Sequence, residues 1–248
     1  MGFRRLAGVA LTWSAWIALV AWGVWQLSLV AFCGRAKGDD AIRACTVMMP
    51  YALAINGDLG AVHVARGVAY LRKRLYDQAI ADFSSAIALN SWSADKYLAA
   101  AYIDRGIAYR RQGAYAQAIA DETKAISLRP TAANAYVERA LDDEHVGRLD
   151  LMIADNTQAL RIRPNSAVAL NDRAWGYHLI GEDARGLADA ERAAALAPHN
   201  SDALETRAEI YEKLGRWDEA RAGYWAVLKV NPGDPFARSG LASLGAAP

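Results

Sequence analysis

Small, aromatic and charged residues recur at fixed positions along this chain, in columns whose members stand 34 residues apart. Four prolines mark the period: Pro130, Pro164, Pro198 and Pro232. Two columns of small residues each open with a 39-residue interval and then keep to 34. They are Gly67, Gly106, Ala140, Ala174 and Ala208, and Ala86, Ala125, Ala159 and Ala193. Because small residues let helices approach closely, the pattern predicts stacked helix–turn–helix units.

Tyrosines and glycines keep the same period. The tyrosine column consists of Tyr70, Tyr109, Tyr177 and Tyr211, and Asp143 interrupts it. The glycines stand where one helix must end and the next begin. They are Gly113, Gly147, Gly181 and Gly215. The unit around Asp143 departs most from the pattern, since it also places Met152 where a small residue is usual.

The segments Arg105–Tyr109 and Ala118–Asp121, followed by Pro130, resemble the two helices and terminal proline of the tetratricopeptide repeat (TPR) family. This resemblance implies an all-α, right-handed superhelical solenoid of about five TPR units at 60–234. The units are expected at 60–93, 99–132, 133–166, 167–200 and 201–234. Five extra residues near Asn90–Lys96 indicate a longer loop after the first unit. Stacked helix pairs of this kind usually form binding surfaces.

Arginine recurs in the first helix of each unit, and aspartate recurs in the second helix of the first four. The pairs are Arg66 with Asp82, Arg105 with Asp121, Arg139 with Asp155, and Arg173 with Asp189, while Arg207 stands alone in the fifth unit. An arginine ladder could bind carboxylates or phosphates. The matching acidic column favours structural Arg–Asp pairs instead. At half-exposed positions such pairs contribute about 0–1 kcal/mol each.

The first 34 residues predict a membrane-spanning helix. No charged residue occurs between Arg5 and Arg35, a run of 29 positions, and about 20 predominantly apolar residues suffice to cross a bilayer. We interpret it as an uncleaved signal-anchor. A cleaved signal peptide and a lipoprotein signal ending at Cys33 are the alternatives. The flanking basic residues favour a cytoplasmic N-terminus only weakly.

Four segments follow from this interpretation of the chain. They are a signal-anchor or signal peptide at 1–34, a capping helix at 35–59, the TPR solenoid at 60–234, and a C-terminal cap or tail at 235–248. Within the capping segment, Pro50 is expected to break the helix.

The two cysteines, Cys33 and Cys45, both follow the apolar run closely. They suit a disulfide in an oxidising compartment, although both could equally be ordinary small apolar residues. This stretch resembles bacterial exported TPR proteins, which have a cysteine near the mature start and another in a segment like Ala41–Thr46. The resemblance implies a single-pass inner-membrane protein with a periplasmic solenoid, or a periplasmic protein if the N-terminus is cleaved.

Composition and motifs argue against nucleic-acid binding and against catalysis. The net charge is +1 and the sequence pI is about 7.8, so there is no global basic field for nucleic acid. The four histidines form no His-x-x-x-His pair, and no phosphate-binding glycine loop occurs. We therefore expect no enzyme activity, no catalytic or metal-binding residues, no cofactor and no small-molecule substrate.

In the TPR family the first helix of each repeat lines a concave groove. By resemblance, the groove in the last three units consists of Asn134, His145, Asn171, Trp175, His178, Asp202, Glu205, Glu209 and Glu212. These residues suit a basic peptide or protein, with Trp175 as an apolar anchor. The alternative is that the glutamates only solvate an exposed face.

Two functions remain open on the sequence alone. The first is a membrane-anchored, non-catalytic scaffold that binds a protein or peptide in the TPR groove. The second is an assembly factor of an envelope complex, which acts mainly through its transmembrane helix. Small residues four apart in the apolar run, such as Gly8 and Thr12, permit close helix packing.

Overall fold

The computed structural model describes residues 38–54, 59–89 and 95–245. Within these ranges the chain forms twelve helices and no strand, as the repeat pattern predicts. No helix in the same ranges is long and apolar enough to cross a membrane. The predicted span at 6–34 and Cys33 lie outside the described residues, so the anchor and the disulfide stay predictions.

The chain divides into two compact units, with the boundary after Gln112. The described residues of the first unit form four helices, each of which packs against the next along the chain. They are α1 (Asp39–Ala54), α2 (Leu59–Arg72), α3 (Tyr76–Leu89) and α4 (Asp95–Arg111).

The predicted break at Pro50 is wrong, because α1 continues through this proline for one more turn to Ala54. A proline inside a helix removes one backbone hydrogen bond. Packing stabilises α1 against that loss: Cys45 and Met48 are fully buried and contact Val62 of α2. Burying a large apolar side chain contributes about 1.5–3 kcal/mol, which is comparable with the cost of the proline.

Close packing in the first unit depends on a residue of the small column. A Cβ at Gly67 would lie only 2.7 Å from Cε1 of Phe83, whose side chain is fully buried. Phe83 therefore packs directly on the backbone of α2, and Ala79 and Ala108 complete this cluster. The small column exists because a large ring occupies the space opposite it.

The described part of the second unit, 113–245, forms eight helices. They are α5 (Tyr115–Leu128), α6 (Ala133–His145), α7 (Leu149–Ile162), α8 (Ala167–Leu179), α9 (Asp183–Leu196), α10 (Ser201–Lys213), α11 (Trp217–Val230) and α12 (Pro235–Ser243). The pairs α6–α7, α8–α9 and α10–α11 fall within the units expected at 133–166, 167–200 and 201–234. Each pair is joined by a tight turn at a glycine with a positive φ, namely Gly147, Gly181 and Gly215 at 73–76°.

The last helix closes the C-terminal end of the second unit. Asp234 accepts hydrogen bonds from the backbone N–H groups of Phe236 and Ala237, and Pro235 occupies the first turn, an arrangement typical of helix starts. Leu241 is fully buried with Tyr224 and Val227 of α11. The helix therefore covers the apolar face that α11 would otherwise expose.

The structure brings three of the predicted Arg–Asp pairs together. In each, the arginine Nε and Nη2 donate to the two carboxylate oxygens at 2.6–2.9 Å. The pairs are Arg66 with Asp82, Arg139 with Asp155, and Arg173 with Asp189. The fourth predicted pair, Arg105 with Asp121, involves residues of both units and stays a prediction.

Each of these arginines also reaches a hydroxyl on the helix that precedes its own. Arg139 Nη1 donates to Thr123 Oγ1 of α5 at 3.0 Å, and Arg173 Nη1 donates to Thr157 Oγ1 of α7 at 3.3 Å. One side chain therefore connects three successive helices. We did not predict this column of hydroxyl residues from the sequence, although Thr123 and Thr157 stand 34 residues apart.

The fifth TPR repeat, at 201–234, lacks this contact of arginine with an aspartate and a hydroxyl. Gly223 stands where the earlier units have aspartate, and a Cβ there would lie 2.8 Å from Cβ of Ala208. The hydroxyl position holds Glu191, which accepts a hydrogen bond from Tyr211. Arg207 Nε is buried without a hydrogen-bond partner among the described residues.

Removing one carboxylate charge tests the structural role of the pairs. Asp155→Asn should lower the free energy of unfolding by about 1–3 kcal/mol, because a half-buried arginine loses a charged partner. Urea denaturation of the full chain measures it. Asp150→Asn on the same helix removes an exposed charge and should change stability by less than about 0.5 kcal/mol. Equal effects of the two variants would contradict the structural role.

Candidate functional site

Three helices of the second unit line an open cavity of mixed acidic and aromatic character. It lies where α8, α10 and α12 meet, and has a volume of about 310 Å³. We call it the acidic groove. Its lining residues are Asn171, Trp175, Asp202, Glu205, Thr206, Glu209 and Phe236.

Five of the nine predicted groove residues line this cavity: Asn171, Trp175, Asp202, Glu205 and Glu209. They meet because they lie on the first helices of neighbouring repeats, α8 and α10, which pack side by side. On α10 the acidic residues recur three or four positions apart, and this spacing places them on one helical face.

Two lining residues were not predicted from the sequence. Phe236 projects from α12 and is 66% exposed, and it belongs to the C-terminal cap rather than to a repeat. Thr206 is only 6% exposed, and its hydroxyl makes no hydrogen bond within the described part of the chain. The sequence offered one sign of Phe236, a phenylalanine directly after an Asp-Pro pair that is typical of a helix start. The repeat pattern gave no sign of Thr206.

Trp175 is held in a defined orientation. Its indole Nε1 donates to Glu144 Oε1 of α6 at 2.9 Å. Its ring also stacks on the imidazole of His178, with centroids 5.1 Å apart and an interplanar angle of 27°. An anchored aromatic ring loses little entropy when a partner packs against it.

His178 lies beside the groove between two carboxylates. Its Nδ1 is 2.6 Å from Asp183 Oδ1, and its Nε2 is 3.4 Å from Glu209 Oε2. It therefore connects the first residue of α9 to the acidic face of α10. This predicted residue supports the groove and does not line the cavity.

The carboxyl groups are crowded and partly buried, and this raises their affinity for protons. Burial and the charges of Asp234, Glu209 and Asp202 raise the pKa of Glu205 to about 7. Burial likewise raises the pKa of Asp172, beside the groove on α8, to about 7. Burial also raises the pKa of Glu209, although His178 opposes that rise. Burial and neighbouring like charges thus outweigh the opposing effect of His178 on these acidic groups.

Three predicted residues lie away from the cavity. Asn134 is exposed on α6. His145 stacks on Tyr115, with centroids 4.6 Å apart. Glu212 accepts hydrogen bonds from Tyr224 at 2.6 Å and from Ser243 at 3.2 Å, so it connects α10 to α11 and α12.

The arrangement suits binding better than chemistry. In the described ranges, no group of three or more His, Cys, Asp or Glu side chains is placed to hold a metal ion. The groove combines fixed aromatic rings with crowded carboxylates on rigid helices. Such a surface can accommodate a side chain that has an apolar stem and a positive head.

Two sequence models of the tetratricopeptide repeat match this chain, at residues 99–131 and 201–244. The first range corresponds to the second predicted repeat. The second range contains the fifth repeat, whose helix α10 carries the acidic face of the groove. No curated protein sequence matches the chain significantly.

Solved structures share the fold. The MamA protein is 18% identical over 74% of this chain and 94% of its own, with a TM-score of 0.58. TTC0263, a thermophilic TPR protein of Thermus thermophilus, is 22% identical over 75% and 98%, with a TM-score of 0.57. YrrB, a TPR protein, is 15% identical over 77% and 96%, with a TM-score of 0.60. The two matched repeats identify this chain as a tetratricopeptide repeat protein, and these solved structures share its fold.

Proposed function

We propose that this protein is a non-catalytic scaffold that binds a basic segment of a partner protein in the acidic groove. The observation that carries the proposal is the meeting of three carboxylates and two aromatic rings around one cavity of about 310 Å³. The carboxylates are Asp202, Glu205 and Glu209, and the rings are Trp175 and Phe236. Charge complementarity therefore selects a cationic partner.

A lysine or arginine side chain satisfies both parts of the groove. Its aliphatic stem packs against Trp175 and Phe236, while its charged head approaches Glu205 and Glu209. The aromatic faces add a cation–π attraction of about 0.5–2 kcal/mol. Thr206 contributes a buried hydroxyl that accepts a further hydrogen bond from the bound segment.

The comparisons support a binding role for this fold. YrrB is described as a TPR protein with an unusual peptide-binding site. It shares only the fold with this chain, so the residues of the acidic groove carry the specificity proposed here.

The second part of the proposal concerns location. The uncharged run at 6–34 anchors the chain in the bacterial inner membrane, and the repeats lie on the periplasmic side. This rests on the length of the run and on the resemblance to exported TPR proteins. An assembly factor working mainly through the span is the competing function.

The charge of the groove should decide which peptide binds. A fluorescein-labelled heptapeptide of alternating lysine and alanine should bind the full chain, whereas the same peptide with glutamate should not. Fluorescence anisotropy measures both affinities. Glu209→Lys and Trp175→Ala should each weaken lysine-peptide binding about tenfold or more.

Asp150→Asn is the matched control, because it removes an exposed acid outside the groove. It should bind the lysine peptide as the native chain does. Unchanged binding by both Glu209→Lys and Trp175→Ala would show that the peptide binds elsewhere.

Binding should strengthen as the pH rises from 6 to 8. Glu205 has a raised pKa of about 7, and only its deprotonated form attracts a cation, while lysine stays charged throughout. The affinity should rise about tenfold across this range. Asp202, Glu209 and Asp234 face Glu205, and His178 faces Glu209, so other groups contribute as well. Glu205→Gln should bind more weakly at pH 8 and lose much of the pH dependence; an unaltered pH profile would contradict this assignment.

Topology and processing test the location. Of two reporters fused after Pro248, only the one that is active in the periplasm should give a signal. The mass of the purified protein should equal that of the chain with its N-terminus uncleaved. A shortened N-terminus would show cleavage instead. Replacing 6–34 with an unrelated apolar helix should preserve partner capture, whereas loss of capture would favour the assembly factor.

A further inference from the structure

A second cavity lies in the third repeat, away from the acidic groove. Its volume is about 240 Å³, and its lining includes Ile119 of α5, Asp143 of α6 and Leu151 of α7. Two ion pairs also border it, Arg139 with Asp155 and Arg148 with Asp143.

This cavity exists because Asp143 stands in the tyrosine column. In other repeats the tyrosine ring lies near a guanidinium group: Tyr70 is 5.8 Å from Arg66, and Tyr211 is 4.5 Å from Arg216. The shorter aspartate leaves the space that a phenol ring occupies elsewhere. The arginine of the same repeat is still present, since Arg139 lines the cavity.

Asp143 itself presents an unused acceptor. The residue is 2% exposed, and its Oδ1 has no hydrogen-bond partner among the described residues. The closest cationic atom, Arg148 Nη1, lies 3.7 Å away, which is too far for a hydrogen bond. A buried acceptor without a donor is costly, so a ligand that supplies one is favoured.

The charge balance of the cavity favours a neutral ligand. Each of the two carboxylates, Asp143 and Asp155, faces an arginine. A lysine would therefore meet as many positive as negative neighbours. The side chains of Ile119 and Leu151 add apolar walls, which suit a ring.

We propose that this cavity binds a tyrosine side chain of a partner protein, with the phenol hydroxyl donating to the Asp143 carboxylate. The ring lies against the Arg139 guanidinium, as Tyr70 lies against Arg66 and Tyr109 against Arg105. Burial, with the charge of Asp155, raises the pKa of the Asp143 carboxyl. This direction agrees with a carboxylate that has an oxygen without a hydrogen-bond donor among the described residues. The contact is independent of the acidic groove.

N-acetyltyrosinamide and N-acetylphenylalaninamide are matched probes for this cavity, since they differ by one hydroxyl. Titrated into the full chain labelled at isoleucine methyl groups, the tyrosine probe should shift the Ile119 resonance saturably. The phenylalanine probe should bind about fivefold more weakly, the equivalent of one net hydrogen bond. Equal affinities, or no shift with the tyrosine probe, would overturn the proposal.

Two variants separate filling of the cavity from loss of the acceptor. Asp143→Tyr fills the space from within and should abolish binding of both probes. Asp143→Leu removes the acceptor, so it should bind both probes equally. Asp218→Asn, at a side chain that is 92% exposed on α11, should bind both as the native chain does. Tighter binding of N-acetyllysinamide than of the tyrosine probe would identify a cation site and refute the assignment.

Discussion

The contact between an arginine on one helix and an aspartate on the next organises the repeats of this protein. In the second unit, Arg139 and Arg173 each bind a carboxylate through two hydrogen bonds and also reach a threonine on the preceding helix. Each side chain thus fixes three helices in register. A paired half-buried charge adds little net stability, but loss of its partner is costly. The contact therefore holds α8, which carries Asn171 and Trp175 of the acidic groove, against α7 and α9.

The two proposed binding sites lie where the repeat pattern is broken. The third repeat replaces the column tyrosine with Asp143 and so leaves a cavity with a buried acceptor. The last repeat gathers Glu205 and Glu209 on α10, where burial and neighbouring carboxylates raise their pKa values. A regular repeat stabilises itself by identical contacts, so a site must arise from residues that depart from them.

The sequence predicted the repeating helices and the Arg–Asp contacts well, because both depend on residues at fixed spacing. It was wrong about Pro50, since the burial of Cys45 and Met48 that sustains α1 is a tertiary effect. It missed Phe236, which reaches the groove from outside the repeats. It also placed His145 and Glu212 in the groove, although Tyr115, Tyr224 and Ser243 engage these side chains. Such partners come from other helices, and periodicity alone does not reveal them.

The central claim is that crowded, partly protonated carboxyl groups receive a cationic side chain. Calorimetric titration of the lysine peptide into the full chain at pH 7, in two buffers of different ionisation enthalpy, measures the protons exchanged on binding. Since Glu205 and Asp172 have pKa values of about 7, binding should release about half a proton to one proton per peptide. Heats that do not depend on the buffer, or a net uptake of protons, would contradict the account.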